Sequence, residues 1–437
     1  MRKIILALMG LTLLTGTAFA ATVEEMENSF NPYKNGFPTV EGIKPGMVID
    51  ANNWQVAEDV IDPAFLQYIQ AGYYSIRIGE SFSFDVNPNF IEQTKARLGK
   101  AKLGDKPGQI SNADAGRPFV EEPSLDDPRA GEKLAWNFKY GHSQGDEWLI
   151  DPWFWKYNDM KSGKKERQLR FNFHFRKFNH RYLTDPTKPA WTPNPSNVFR
   201  STFLTVEKPF DVKNTQVLVQ RYEDDTKLDN SYIYLGFQRR VRRLSSGQTT
   251  DAFLGSDIML EDFEGYNGRL SDMTWTYLGT KPMLVPMYKH NEEPTDDEVY
   301  TDDPDGYRMT KFIGTGNCFP DVSWQLRTVY VVESKPVDPN HPVGKRLHYM
   351  DVQTATIPLT NVYDRAGKLW RSFTIGYTHA DFDVKENKGT DVVMYNFFSM
   401  VDPQVMHCTT GQFKTVTSSP STTPNVFTVQ HMRAVGR

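Results

Sequence analysis

Residues 169–176 read Leu-Arg-Phe-Asn-Phe-His-Phe-Arg. Leu169, Phe171, Phe173 and Phe175 fall on one side of an extended chain, and Arg170, Asn172, His174 and Arg176 on the other. Successive side chains of a strand point to opposite faces, so this alternation predicts a half-buried strand. A turn precedes it at Met160-Lys161-Ser162-Gly163-Lys164-Lys165, with a further aromatic run before the turn. Downstream, strand-like stretches recur near 199–207, 215–222, 230–237, 239–244, 272–279, 324–334, 346–357, 369–379 and 391–401. Asp364-Arg365-Ala366-Gly367 reads as a hairpin turn between two of them. Many short strands with almost no helical period between them predict a large antiparallel sheet.

Upstream of about Trp148 the pattern is different. Asp62-Pro63, Asn87-Pro88 and Asp127-Pro128 each set a capping side chain before a proline at the first helical position. They predict helices running to Gly72, Gly99 and about Tyr140. The expected organisation is a helical region over 21–146, a sheet over 147–417 and a tail over 418–437, loosely ordered where Ser418 to Pro424 is rich in Ser, Thr and Pro.

Composition excludes several classes. Of 437 residues, 39% are hydrophobic and 24% charged, which fits neither a disordered chain nor a multi-span membrane protein. The 13% aromatic content, from 28 Phe, 20 Tyr and 9 Trp, suits half-buried pleated surfaces. A net charge of −4 gives no electrostatic reason to expect a nucleic-acid partner. The nine His show no metal-ligand spacing and there is no CxxC, so neither a metal nor a cofactor is expected.

The first twenty residues read as a secretory signal: Arg2 and Lys3, an apolar stretch from Ile4 to Leu14, and Ala18-Phe19-Ala20 before Ala21. Residue 21 is not Cys, so no lipid anchor is expected there. The expected location is the bacterial periplasm, possible association with the outer membrane included. In an oxidising compartment Cys318 and Cys408 can form a disulfide, although two buried free thiols are the alternative. His407 beside Cys408 does not make a catalytic dyad, because neighbours on a strand face opposite ways.

Gly141-His142-Ser143-Gln144-Gly145 matches the G-x-S-x-G nucleophile elbow of hydrolases. That chemistry needs a strand, a strained turn and then a helix, whereas Lys133 to Tyr140 reads as helical and Pro152 follows soon after. The match reads as a polar loop. Asn291 to Gly306 holds eight acids, but the position where a calcium loop needs its closing Glu is Phe312, so a solvated loop is expected.

Arg239-Arg240-Val241-Arg242-Arg243 sets arginines on both faces of a strand, and Asp257, Glu261 and Asp262 follow shortly after. Asp257 can cap a short helical turn that brings Glu261 to the same face. Two readings stay open: caps and surface charge, or bidentate pairing of Arg240 and Arg242 with these carboxylates near a cavity mouth.

This block resembles a known family. Tyr232-Ile233-Tyr234-Leu235, the arginine run, Phe253-Leu254-Gly255-Ser256-Asp257 and Glu261-Asp262-Phe263 are similar to the signature of the outer-membrane lipoprotein-sorting superfamily, the LolA/LolB-like periplasmic carriers. Tyr363 to Arg371 is similar to that family's closing hairpin. The length and the helical first third most resemble the domain of unknown function numbered 1329. The resemblance implies a mainly β (α+β) fold: a curved antiparallel half-barrel whose concave side, closed by helices, holds acyl chains. It also implies work beside an inner-membrane RND-type exporter and an outer-membrane acceptor. The chain departs from the simple carriers in its greater length and in lacking the acceptor's lipid-anchored Cys.

The residues themselves agree with a container. Trp324 and Tyr330 share a strand face, as do Trp275 with Tyr277 and Phe373 with Tyr377. Three such faces exceed what a few short helices cover, so these six rings are the expected cargo contacts. The expected function is a non-enzymatic periplasmic carrier of a hydrophobic or lipid-like molecule. The alternatives are a lipid hydrolase using Ser143 and a structural adaptor that carries nothing.

Overall fold

The structure is a computed structural model describing residues 21–187, 191–244, 250–296 and 306–436. The expected signal and most of the acidic loop, 297–305, lie outside the described residues. Fifteen strands of the described residues form one open sheet. Two short strands, β1 (Val48–Ile49) and β2 (Ile76–Ile78), come first in the chain. An antiparallel meander follows: β3 (Glu147–Asp159), β4 (Lys165–Lys177), β5 (Val198–Lys208), β6 (Gln216–Tyr222), β7 (Asn230–Leu235) and β8 (Arg240–Arg243). A second meander comprises β9 (Met273–Val285), β10 (Ser323–Pro336), β11 (Val343–Asp351), β12 (Leu359–Asp364), β13 (Leu369–His379), β14 (Val393–Asp402) and β15 (His407–Thr417).

The two meanders join where β15 pairs antiparallel with β3. β8 ends one side of the sheet and β1 and β9 the other, so the sheet does not close into a barrel. β2 pairs in parallel with the start of β10, which makes the sheet mixed. The period-two reading of 169–176 is realised in β4, where Leu169, Phe171 and Phe175 are buried.

Five α-helices accompany the sheet among the described residues: α1 (Val23–Phe30), α2 (Pro63–Gln70), α3 (Pro88–Arg97), α4 (Ala130–Lys139) and α5 (Val429–Val435). Asp62 caps α2 by accepting from the Ala64 and Phe65 amides at 2.9 and 3.1 Å, and Asn87 caps α3 through the Asn89 amide at 3.0 Å. α4 starts later than Asp127, whose carboxylate instead accepts from the Arg129 amide.

The helices divide between the faces of the sheet. On β13, Phe373 faces the cavity described below, so its neighbour Ser372 faces away. Tyr68 of α2 hydrogen-bonds Ser372 at 2.9 Å, which puts α2 on the side opposite the cavity. α4 lies on the cavity side, where Leu134 and Trp136 pack with Tyr266, Trp275 and Met350.

The tail is ordered. Thr422 is buried, and Val426, Phe427 and Met432 pack on Phe203, Leu218 and Tyr234. Its polar start misleads because the apolar residues that dock it come afterwards. No described helix is long and apolar enough to cross a membrane.

Candidate functional site

Between β8 and β9 the chain runs back across the sheet as a strap, Phe253 to Asp272, made of three short 3-10 turns separated by extended residues. A helix would satisfy its backbone internally, but the strap is held by side chains instead. Asp257 accepts from the Thr409 hydroxyl at 2.8 Å and lies 2.7 Å from His407 Nδ1. Glu261 and Asp262 both take Arg346 of β11, which is completely buried. Glu264 takes Arg200 of β5 at 2.9 Å, and Arg221 of β6 donates to the Asn267 carbonyl at 2.6 Å.

Electrostatics follow from burial. Arg346 and His341 hold the Glu261 carboxyl down at about 2 against the cost of burial, whereas Asp262 is pushed upward because burial outweighs its share of Arg346. His407 is raised, chiefly by its hydrogen bond to Asp257.

Under the strap is an apolar cavity of about 130 Å³. Its walls include Trp153, Phe173, Leu204, Phe398 and Phe413 from the sheet and Phe263 from the strap, with Arg221, Asp229 and Arg269 among its polar lining. Trp153 is central, its ring 5.4 Å from Phe173 and 5.5 Å from Phe413. Gly411 lets the Phe398 ring lie across its strand, where a methyl group would collide with it. A second cavity of about 50 Å³ adjoins, lined by Lys177, Ser143, Tyr377 and residues of α4, and shares Phe175, Arg221, Glu264 and Tyr395 with the first.

The structure brings few of the expected cargo residues together. Phe373 lines the main cavity and Tyr377 the smaller one. Trp324 is buried against Phe65 of α2, and its indole N–H donates to Tyr74. Trp275 packs on His348 and Tyr266, donating to the Leu270 carbonyl. Tyr277 and Tyr330 contact each other at 6.2 Å, and Tyr330 donates to Glu122. These four rings fill core or cover the sheet rather than line the cavity.

The expected pairing of Arg240 and Arg242 with Asp257, Glu261 and Asp262 is not formed. Both arginines are exposed on the edge strand β8 and make no ion pair among the described residues, because an edge strand leaves its charges in water. The carboxylates turn instead to Arg346 and His407. Nor does Asp257 cap a turn with Glu261: it falls in the link between two turns. In the acidic loop, Glu293 pairs with Arg77 at 2.6 Å and Asp296 with Lys156 at 2.8 Å, so these two acids tie elements together rather than sit in solvent.

Cys318 and Cys408 are joined by a disulfide, Cα to Cα 5.9 Å. Ser143 follows α4 and precedes β3, the reverse of the strand–turn–helix order of a nucleophile elbow. Its hydroxyl donates to the Val393 carbonyl at 3.3 Å, whereas Lys177, across the same small cavity, donates to the Gly141 carbonyl. Neighbouring His142 is fully buried, both ring nitrogens lack partners among the described residues, and burial drives it well toward the neutral form.

A family model described as "Protein of unknown function (DUF1329)" matches residues 48–433. No curated protein matches the chain. Among solved structures, a domain described as outer membrane lipoprotein-sorting from Vibrio parahaemolyticus is 15% identical, with 70% of this chain and 100% of that chain covered and a TM-score of 0.47. A DUF1329 family protein from Desulfovibrio piger is 16% identical, with 70% and 99% covered and a TM-score of 0.46. A LolA superfamily protein from Nitrosomonas europaea is 9% identical, with 69% and 98% covered and a TM-score of 0.38.

Proposed function

The chain belongs to the DUF1329 family, and from its strapped cavity we propose that it is a non-enzymatic carrier of a hydrophobic or lipid-like molecule. The observation that supports this most is the ring-lined space between the sheet and Phe253–Asp272. An apolar cavity of about 150 Å³ accepts a guest the size of benzene, whereas pockets that enclose larger ligands hold about 300–1,000 Å³. At about 130 Å³ the space takes the end of a chain, and a longer acyl group enters by displacing the strap. The periplasm is the proposed location, supported by the signal-like first twenty residues and the disulfide. The sequence resemblance to LolA/LolB-like carriers supports work beside an RND-type exporter and an outer-membrane acceptor.

The test is organic extraction of protein purified from its native envelope, followed by mass spectrometry. A stoichiometric apolar molecule is the expected result, and uptake of a fluorescent fatty acid should persist in Ser143→Ala. An empty protein that takes up no amphiphile would sink the carrier reading in favour of an adaptor. Cleavage of a fatty-acyl ester by the wild type that is abolished in a folded Ser143→Ala would return attention to a hydrolase.

A further inference from the structure

Three cations stand in one row on the cavity face. Lys177 of β4 is in register with Arg200 of β5, and Arg200 with Arg221 of β6. Like charges directly opposite one another destabilise a sheet. All three are also withdrawn from water: Lys177 is 4% and Arg221 7% exposed, and the Arg200 side chain 11%.

Two of them have carboxylate partners, Glu264 for Arg200 and Asp229 for Arg221, at 2.9 and 2.7 Å. Lys177 has none among the described residues. Its ammonium donates to the Gly141 carbonyl at 2.8 Å. Asp146, the acid that acts on it most strongly, is taken up by the backbone amides of Tyr182, Leu183 and Thr184. Burial lowers Lys177 to about 8, so it remains mostly charged at neutral pH. A buried ammonium with no carboxylate in contact is costly and would gain from a bound anion.

The position of Lys177 says where that anion would belong. Phe173, Phe175 and Lys177 are alternate residues of one strand and share a face, Phe173 in the main cavity, Phe175 in both and Lys177 in the smaller. The trough therefore runs from apolar to cationic over roughly 13 Å, at about 3.3 Å per residue. We propose that Lys177 holds the head group of the cargo, which makes the carried class an amphiphile with a single anionic head, carboxylate or phosphate, its chain lying along Phe175, Phe173 and Trp153. This rests on the carrier reading.

The test compares three probes of equal chain length, an alkyl carboxylate, an alkyl phosphate and the alkyl alcohol, by displacement of a fluorescent fatty acid at constant ionic strength. Wild type should prefer at least one anion over the alcohol by tenfold or more, and the preferred anion identifies the head. Lys177→Met should lose that preference with alcohol affinity unchanged and with no fall in unfolding temperature, while Lys177→Arg should keep it. Equal binding of all three probes by wild type overturns the proposal and leaves carriage standing, a result that needs no variant to fold. Binding of none overturns carriage and this proposal together. An anion preference that survives in a folded Lys177→Met assigns the head elsewhere and overturns the role of Lys177.

Discussion

His407 of β15 grips Asp257 of the strap, Nδ1 to Oδ2 at 2.7 Å, while the next residue of the strand, Cys408, faces the other way into its bond with Cys318. One strand thus fastens the cover on one face and the disulfide on the other. Because the folded-state pKa of His407 is raised, its contribution is fully present below about 6.5 and is lost as pH rises through the folded value. The strap should therefore loosen on the alkaline side. Hydrogen exchange of residues 253–265, corrected for intrinsic rates, should be faster at pH 8.5 than at pH 6. His407→Gln should remove that difference, and a wild type with no difference would show that the contact does not control the strap.

Arg346 is the stronger fastening. Replacing it with Met leaves Asp262 buried without its cation and Glu261 with His341 alone, a change that typically costs about 3–5 kcal/mol. Arg240→Ala, on the exposed edge, should stay within about 0.5 kcal/mol of wild type. Urea midpoints compare the two. Shifts of equal size would mean that the strap's carboxylates are satisfied by other groups.

The disulfide closes a separation of 90 residues, linking β15 to the segment just before β10. In the chain-entropy account a loop of that length is worth about 4–5 kcal/mol. Intact mass after alkylation of unfolded, unreduced protein should show no free thiol, and Cys318→Ala with Cys408→Ala should lower the unfolding free energy by an amount in that range. Two alkylated cysteines in the wild type would remove the bond from the account.

Much of this was readable from the sequence for local reasons. The alternation at 169–175, the caps at Asp62 and Asn87 and the turn at 364–367 depend only on neighbours in the chain. The fastening of the strap was not, because Arg346 lies 85 residues from Glu261 and sits between Lys345 and Leu347 with no local mark. The arginine run at 239–243 drew attention by density, yet density on an edge strand signals solvent contact rather than partnership. Which aromatic faces meet in a cavity also depends on register across strands. Trp275 and Trp324 have the same alternation as Phe173, and only long-range pairing sorts lining from core.

Chain-length dependence tests the cavity itself. Each buried methylene contributes about 0.8 kcal/mol, close to a fourfold gain in affinity per carbon. A carrier whose strap yields should hold that gain over many carbons, whereas a rigid cavity of about 130 Å³ should stop rewarding length after the first few. A fatty-acid series from six to sixteen carbons, read by displacement of a fluorescent probe, should therefore rise well past the capacity of the cavity as it stands. Leu204→Trp, which projects into the cavity from β5, should cut affinity for the longer members at least tenfold, with circular dichroism unchanged. Trp324→Phe, in the core beneath α2, should leave the series intact and cost stability alone. If Leu204→Trp binds every chain as wild type does, the guest lies somewhere other than beneath the strap.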